Sequence, residues 1–139
     1  MTVLLNPYLT FRDNAREAME FYQSVFGGEL DVMPFSTVGA GEPDEADRVM
    51  HSSLRTSSGL VLMGADTPSD MEYAPAAGIT VSLSGDVDDD DELRGYWKAL
   101  SESGSVTVPL ETAPWGDSFG MCVDRFGTPW MVNIAGQRS

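Results

Sequence analysis

The chain carries one pattern twice. Residues 3–65 and 79–134 each read as a strand, an amphipathic helix stopped at glycine and then three short strands, with a Pro- and Ala-containing stretch over 66–77 between them. Each copy alone is small for a stable core, whereas 139 residues suffice for one domain. The expectation is a single domain, 1–139, built of two modules with a site in the concavity they share.

In the first copy the residues from Val3 to Phe11 alternate, with Leu5, Leu9 and Phe11 on one face and Asn6, Tyr8 and Thr10 on the other. Asn14 followed by Glu17 has the spacing of a capping box. Ala18, Phe21, Tyr22, Val25 and Phe26 then follow helical spacing to the Gly27-Gly28 stop. Strands are expected at Glu29–Ser36, Val49–Thr56 and Leu60–Ala65. In the second copy Ile79–Ser84 alternates, Asp86–Asp91 supplies acidic residues where a helix start favours them, and Leu93, Tyr96, Trp97 and Leu100 form a helical stripe. Gly95 weakens that helix and Gly104 closes it. Strands at Ser105–Leu110, Phe119–Asp124 and Pro129–Ile134 complete the copy. The fold class is α+β.

Charge excludes one class of partner. The net charge is −14 with only eight Lys and Arg, whereas a duplex binder needs a basic face to neutralise phosphates. Acidic residues gather at Glu42–Asp47 and Asp86–Glu92, which read as a solvated loop and a helix start. No apolar run approaches a membrane span and the N-terminus lacks a signal-peptide pattern, so a cytoplasmic location is expected, away from any membrane. A single cysteine, Cys122, leaves no intramolecular disulfide.

A strand, a crossover helix and three more strands, duplicated, is the βαβββ arrangement, and the residues themselves carry a resemblance. Leu5-Asn6-Pro7-Tyr8-Leu9, Ala15-Arg16-Glu17-Ala18 and Val25-Phe26-Gly27-Gly28 resemble the opening of the vicinal oxygen chelate superfamily. Val49-Met50-His51-Ser52, Leu62-Met63-Gly64, Trp115-Gly116-Asp117-Ser118-Phe119-Gly120 and Asp124-Arg125-Phe126-Gly127-Thr128-Pro129-Trp130-Met131 resemble its PhnB-like branch. The resemblance implies tandem βαβββ modules forming curled mixed sheets around a concave cavity, as in glyoxalase and bleomycin-resistance proteins, and a homodimer.

In metal-dependent members of that superfamily each module supplies a ligand from its first strand and one from its last. The resemblance places Asn6 and Met63, then Thr80 and Met131, at these positions, and none is a usual ligand for a hard or borderline divalent ion. One histidine in the whole chain also precludes a two-histidine site. No metal and no cofactor are expected. Nor does 11–16, which lacks glycine, offer the nucleotide-binding turn of a methyltransferase, so the methyltransferase and DNA-binding labels attached to this branch are not supported.

The expected cavity lining is Asn6, Tyr8, His51, Ser53, Met63, Thr80, Ser82 and Met131, with Trp115 near the rim. His51 is the one side chain that ordinarily titrates near neutral pH, and it is read either as a general base or as a structural histidine. Trp130, alternating with Met131, is expected in the core, as are Tyr96 and Trp97, and Phe126 is expected to bury its ring in a turn. A mostly apolar, adaptable lining with a few polar groups suits metal-free binding of a small organic molecule, neutral or cationic. The rival reading is an enzyme that uses His51.

Overall fold

The computed structural model describes residues 5–38, 47–67 and 78–136. The chain divides into two compact units, Met1–Pro75 and Ala76–Ser139, each holding one module.

The first unit runs β1 (Tyr8–Phe11), α1 (Ala15–Phe26), β2 (Glu29–Pro34), β3 (Val49–Arg55) and β4 (Val61–Asp66). Its sheet has the order β1-β4-β3-β2, parallel between β1 and β4 and antiparallel elsewhere. Alternation along the strands gives the sheet two different faces. One carries Leu9, Phe11, Leu54 and Leu62 against Ala15, Ala18, Met19 and Tyr22 of α1, all buried. Within this core Ser52 Oγ donates to the Gly64 carbonyl at 2.6 Å.

The second unit repeats the plan with β5 (Val81–Gly85), α2 (Asp90–Glu102), β6 (Ser105–Thr112), β7 (Ser118–Val123) and β8 (Pro129–Ile134), ordered β5-β8-β7-β6. Leu93, Val132 and Ile134 form its core, with Leu83, Tyr96, Trp97 and Leu110 packed against them. Trp130 is buried, as its alternation with Met131 predicts, while Tyr96 and Trp97 are partly buried. Both units are thus open four-stranded mixed sheets with one face covered by a helix.

The copies match in detail at the turns between their last two strands. Thr56 N donates to the Leu60 carbonyl and Gly59 N to the Thr56 carbonyl, at 3.0 and 3.1 Å. Asp124 N to Thr128 and Gly127 N to Asp124, both at 3.0 Å, repeat the pattern. A side-chain oxygen completes each turn. Thr56 Oγ1 accepts from Leu60 N at 3.0 Å, and Asp124 Oδ1 accepts from Thr128 N at 3.1 Å. Asp124 does more, since Oδ1 also accepts from Phe126 N at 2.8 Å and Oδ2 from Trp130 Nε1 at 2.8 Å. Both helices are also followed by a glycine for the same steric reason. A Cβ on Gly28 or Gly104 would run into the carbonyl of Arg55 or Val123, so the chain passes these points only without a side chain.

Several local expectations are corrected. The Asn14 side chain makes no capping hydrogen bond; instead Asp66 Oδ1 accepts from Ala15 N at 2.9 Å and Asp66 Oδ2 from Val49 N at 2.9 Å. A buried carboxylate reached through tertiary structure outcompetes a neighbouring amide at the positive end of the helix. Asp66, read from sequence as the start of the connecting stretch, is the last residue of β4. The capping box is found at Asp86 and Asp89, where a short 3-10 turn over Val87–Asp89 leads into α2. β1 spans only Tyr8–Phe11, and Leu5, expected to pack, is 99% exposed. β2 ends at Pro34, where the ring removes a ladder donor, and Phe35–Val38 form a 3-10 turn. Phe126 is half-buried, with the Arg125 guanidinium 4.6 Å from its ring centre. Of the acidic stretch Glu42–Asp47 only Asp47 falls within the described residues, as does only 66–67 and 78 around the connecting stretch.

Candidate functional site

The face of the first sheet turned away from α1 carries most of the expected site residues. β1 presents Tyr8, β4 presents Met63, β3 presents His51, Ser53 and Arg55, and β2 presents Asp31 and Met33. The register aligns Tyr8 with Met63, Met63 with Ser53, Ser53 with Asp31, and His51 with Met33. Cross-strand partners share a face, so these side chains form one patch. Tyr8 and Met33 are 49% and 40% exposed, whereas His51, Ser53 and Met63 are half-buried.

Tyr8 reaches across β4 to His51. Their ring centroids are 5.8 Å apart with planes 27° from parallel, and Tyr8 Oη lies 3.5 Å from His51 Nδ1. That separation is long for a hydrogen bond, so ring stacking does more to orient the pair. Partial burial pushes the Tyr8 phenol above its usual range, which keeps it protonated at neutral pH. At the other end of the patch Arg55 Nη2 meets Asp31 Oδ2 at 3.2 Å; both side chains are well exposed, so the pair adds little stability and stays available to solvent or a ligand.

The second sheet has a corresponding open face with different chemistry. Ser82 is level with Met131, and Met131 with Met121; Ser84 is level with Asn133, and Asn133 with Phe119. No side chain here titrates near neutral pH, and thioethers with small hydroxyls dominate. Ser82 is exposed and Met131 half-buried. Trp115 lies in the loop between β6 and β7 and is 71% exposed. The loop is pinned, with Ala113 N donating to the Asp117 carbonyl at 2.7 Å and Gly136 N to Asp117 Oδ1 at 2.9 Å.

Asn6 and Thr80 fall outside the regular strands. Each precedes its first strand, so Tyr8 rather than Asn6 stands level with Met63, and Ser82 rather than Thr80 with Met131. Sequence reasoning missed Asp31 and Met33 on the first face and Met121, Phe119 and Asn133 on the second. Alternation along β2 and β7 held the signal, but only the register shows which residues meet.

The donors gathered at the first face are a phenol, an imidazole, a hydroxyl, two thioethers and the Asp31 carboxylate, which Arg55 already engages; at the second they are hydroxyls, a carboxamide and thioethers. Neither set fits a divalent ion of the superfamily's metal site, and among the described residues no three of His, Cys, Asp and Glu come together as a metal-binding group. A cleft of about 380 Å³ lies at the start of α1, lined by residues that include Asp13, Arg16, Glu20, Asp47, Arg48 and Asp66. Its charge is mixed, and Asp66 already spends one carboxylate oxygen on Ala15 N and the other on Val49 N, so the cleft reads as a solvated seam beside the helix cap.

Comparison with known proteins agrees with this architecture. The family model described as 3-demethylubiquinone-9 3-methyltransferase matches residues 4–133. The chain belongs to that family. The crystal structure of protein PA1353 from Pseudomonas aeruginosa is 38% identical, with a TM-score of 0.82 over 98% of this chain and 100% of that one. A PhnB protein from Bacillus cereus, itself described as a putative 3-demethylubiquinone-9 3-methyltransferase, is 20% identical with a TM-score of 0.73, covering 96% of this chain and 100% of its own. A glyoxalase/bleomycin resistance protein/dioxygenase superfamily member from Sphaerobacter thermophilus is 17% identical with a TM-score of 0.61, over 96% and 98% of the two chains. The PhnB-like assignment and the glyoxalase/bleomycin-resistance fold are thereby shown.

The family's description implies a methyl donor, and the residues do not fit S-adenosylmethionine bound in the usual way. The link from β1 to α1 is Arg12-Asp13-Asn14, without glycine, and the helix start it leads to is occupied by the Asp66 carboxylate. A ligand's own carboxylate would meet the Asp66 carboxylate, already bonded to Ala15 N, at that helix start.

Proposed function

We propose that this PhnB-like protein binds a small organic molecule without a metal, using the open faces of its sheets. The observation that carries the reading is the composition of those faces. Where the superfamily's metal chemistry needs imidazoles and carboxylates, Met63 and Met131 stand level with Tyr8 and Ser82. Half-buried thioethers and accessible hydroxyls make an adaptable, weakly polar surface, and the chain's charge of −14 favours a neutral or cationic ligand. On this reading Tyr8, Ser53 and Met63 contact ligand in the first module and Ser82 and Met131 in the second, with Asn6, Thr80 and Trp115 at the margins. The same charge disfavours nucleic acid as a partner. The working form is a cytoplasmic homodimer, following the habit of the superfamily.

The test is metal content and ligand binding on one preparation. The protein is incubated with Mn²⁺, Ni²⁺ and Zn²⁺ and dialysed, retained metal is measured, and a panel of small organic molecules is then screened by NMR. Binding with less than stoichiometric metal is expected, and one retained transition-metal ion per chain overturns the metal-free reading. A rival reading, a lyase, isomerase or dioxygenase type of enzyme that uses His51 as general base, draws on the contact between Tyr8 and His51. It predicts turnover that His51→Gln abolishes while ligand binding persists.

A further inference from the structure

The two sheets sort methionines by side. Met19, on α1, is completely buried, and a Cβ on Gly64 would stand 3.0 Å from its Sδ, so that thioether lies directly against β4. Met63 comes just before Gly64 in the same strand and leaves it on the opposite face. Met33, Met121 and Met131 also stand on open faces, Met33 level with His51 on the first sheet and Met121 level with Met131 on the second. Met33 is 40% exposed and the other three open-face methionines are half-buried. Met50 falls at the register shift between β2 and β3 and is assigned to neither face.

Peroxide converts a thioether to a sulfoxide, a polar group that disrupts a core but is hydrated on an open surface, and reductases reverse the change. A reactive thiolate would compete for the oxidant. Cys122 does not, because it is 1% exposed and burial, then the Asp124 charge, push its thiol up to about 11. The sulfur within reach of an oxidant therefore lies on the open faces, and the sulfur on which packing depends lies behind them. We propose that Met33, Met63, Met121 and Met131 are reversible oxidation sites through which hydrogen peroxide turns off binding at the open faces while the fold stays intact. The inference rests on the proposed function and adds its regulation. In each step the peroxide O–O bond breaks and an S–O bond forms. The sulfur gives up two electrons, and the second oxygen leaves as water with both protons. A thiol-dependent reductase reverses the step, the oxygen leaving as water and two thiols becoming a disulfide.

The protein is treated with hydrogen peroxide at neutral pH. Peptide mass spectrometry follows each methionine, thermal unfolding follows the fold, and fluorescence of Nile red, a neutral apolar dye, follows binding. Met33 is expected to convert first, then Met63, Met121 and Met131, with Met19 and Cys122 unmodified and the melting temperature kept. Dye binding is expected to weaken about ten- to hundredfold, since an apolar molecule covering a sulfoxide strips water from its oxygen. Methionine sulfoxide reductases A and B should restore it. In a variant carrying Met33→Leu, Met63→Leu, Met121→Leu and Met131→Leu, dye affinity is expected to be the same before and after peroxide, whatever its starting value. Should that variant not fold, recovery by the reductases on the native sequence decides. Oxidation of Met19 or Cys122 as fast as Met63 overturns the inference, as does a melting temperature that falls in step with oxidation or dye binding unchanged once all four sites are converted. Absence of dye binding before any peroxide is added overturns the proposed binding faces and the switch with them, and its place before treatment tells it apart from the other failures.

Discussion

Asparagine in place of Asp124 tests whether the second module's last turn is held by charge or by shape. Asp124 is 3% exposed and its carboxylate accepts from Phe126 N, Thr128 N and Trp130 Nε1, with Trp130 itself 1% exposed. Asn has the same outline but only one oxygen. With that oxygen facing the two backbone amides, its NH₂ meets the indole N–H donor to donor; flipped, it faces two donors. One charge-assisted bond is lost, worth about 1.5–3 kcal/mol, a buried N–H goes unmet at about 1–3 kcal/mol, and the remaining bonds lose their charge. These costs overlap, so the expected destabilisation is about 3–4 kcal/mol. Thr56→Val is the internal control, because Thr56 occupies the same place in the same turn of the first module and Leu60 N, exposed, turns to water when its acceptor is removed. Under about 1 kcal/mol is expected there. Trp97, Trp115 and Trp130 all lie in the second unit, so tryptophan fluorescence during urea unfolding reports that unit, while far-ultraviolet circular dichroism reports both. Equal costs for the two variants, within about 0.5 kcal/mol, would refute the argument.

Other outcomes follow from single contacts. Asp66→Ala strands the amides of Ala15 and Val49 and should cost about 2–4 kcal/mol in urea unfolding followed by circular dichroism, whereas Asn14→Ala should cost less than about 0.5 kcal/mol, since its side chain caps nothing. Burial, and then the Asp124 charge, push the Cys122 thiol from 9.0 up to about 11. The unfolded chain therefore releases this proton first, so stability falls as pH rises from about 9 and levels off above about 11, by about 3 kcal/mol in all. Cys122→Val should flatten that part of the profile, and in the native protein a disulfide-exchange reagent at pH about 8 should react only on the timescale of unfolding. Gly95→Ala should stabilise by about 0.5–1 kcal/mol, because a Cβ there meets nothing within 4 Å and α2 gains a better helix former. Gly104→Ala should instead destabilise by more than about 2 kcal/mol, read as a drop in melting temperature.

Periodic features were legible in the sequence because one residue's environment repeats along one element. The helical stripe of Leu93, Tyr96, Trp97 and Leu100 and the alternation of Trp130 with Met131 both placed side chains on the observed side. Features that depend on two distant segments were not. Nothing near Asn14 announces that a carboxylate on β4 takes over its role, and nothing near Leu5 reveals that the strand begins only at Tyr8. The candidate site divides the same way. His51 and Ser53 both stand in the expected lining, but the closeness of Tyr8 to His51 and the alignment of Ser53 with Asp31 and Met63 depend on a register that no single strand encodes.

The two helix starts also differ in when they become possible. Asp86 and Asp89 lie three residues apart, so the second helix has its cap as soon as one turn of chain exists. Ala15 waits for an acceptor 51 residues further on. By loop-closure entropy that difference is roughly 2.5 kcal/mol against forming the first cap early. The module made first on the ribosome therefore completes its own helix only after its last strand has emerged, and the module made second begins with an advantage in speed that its sequence position hides.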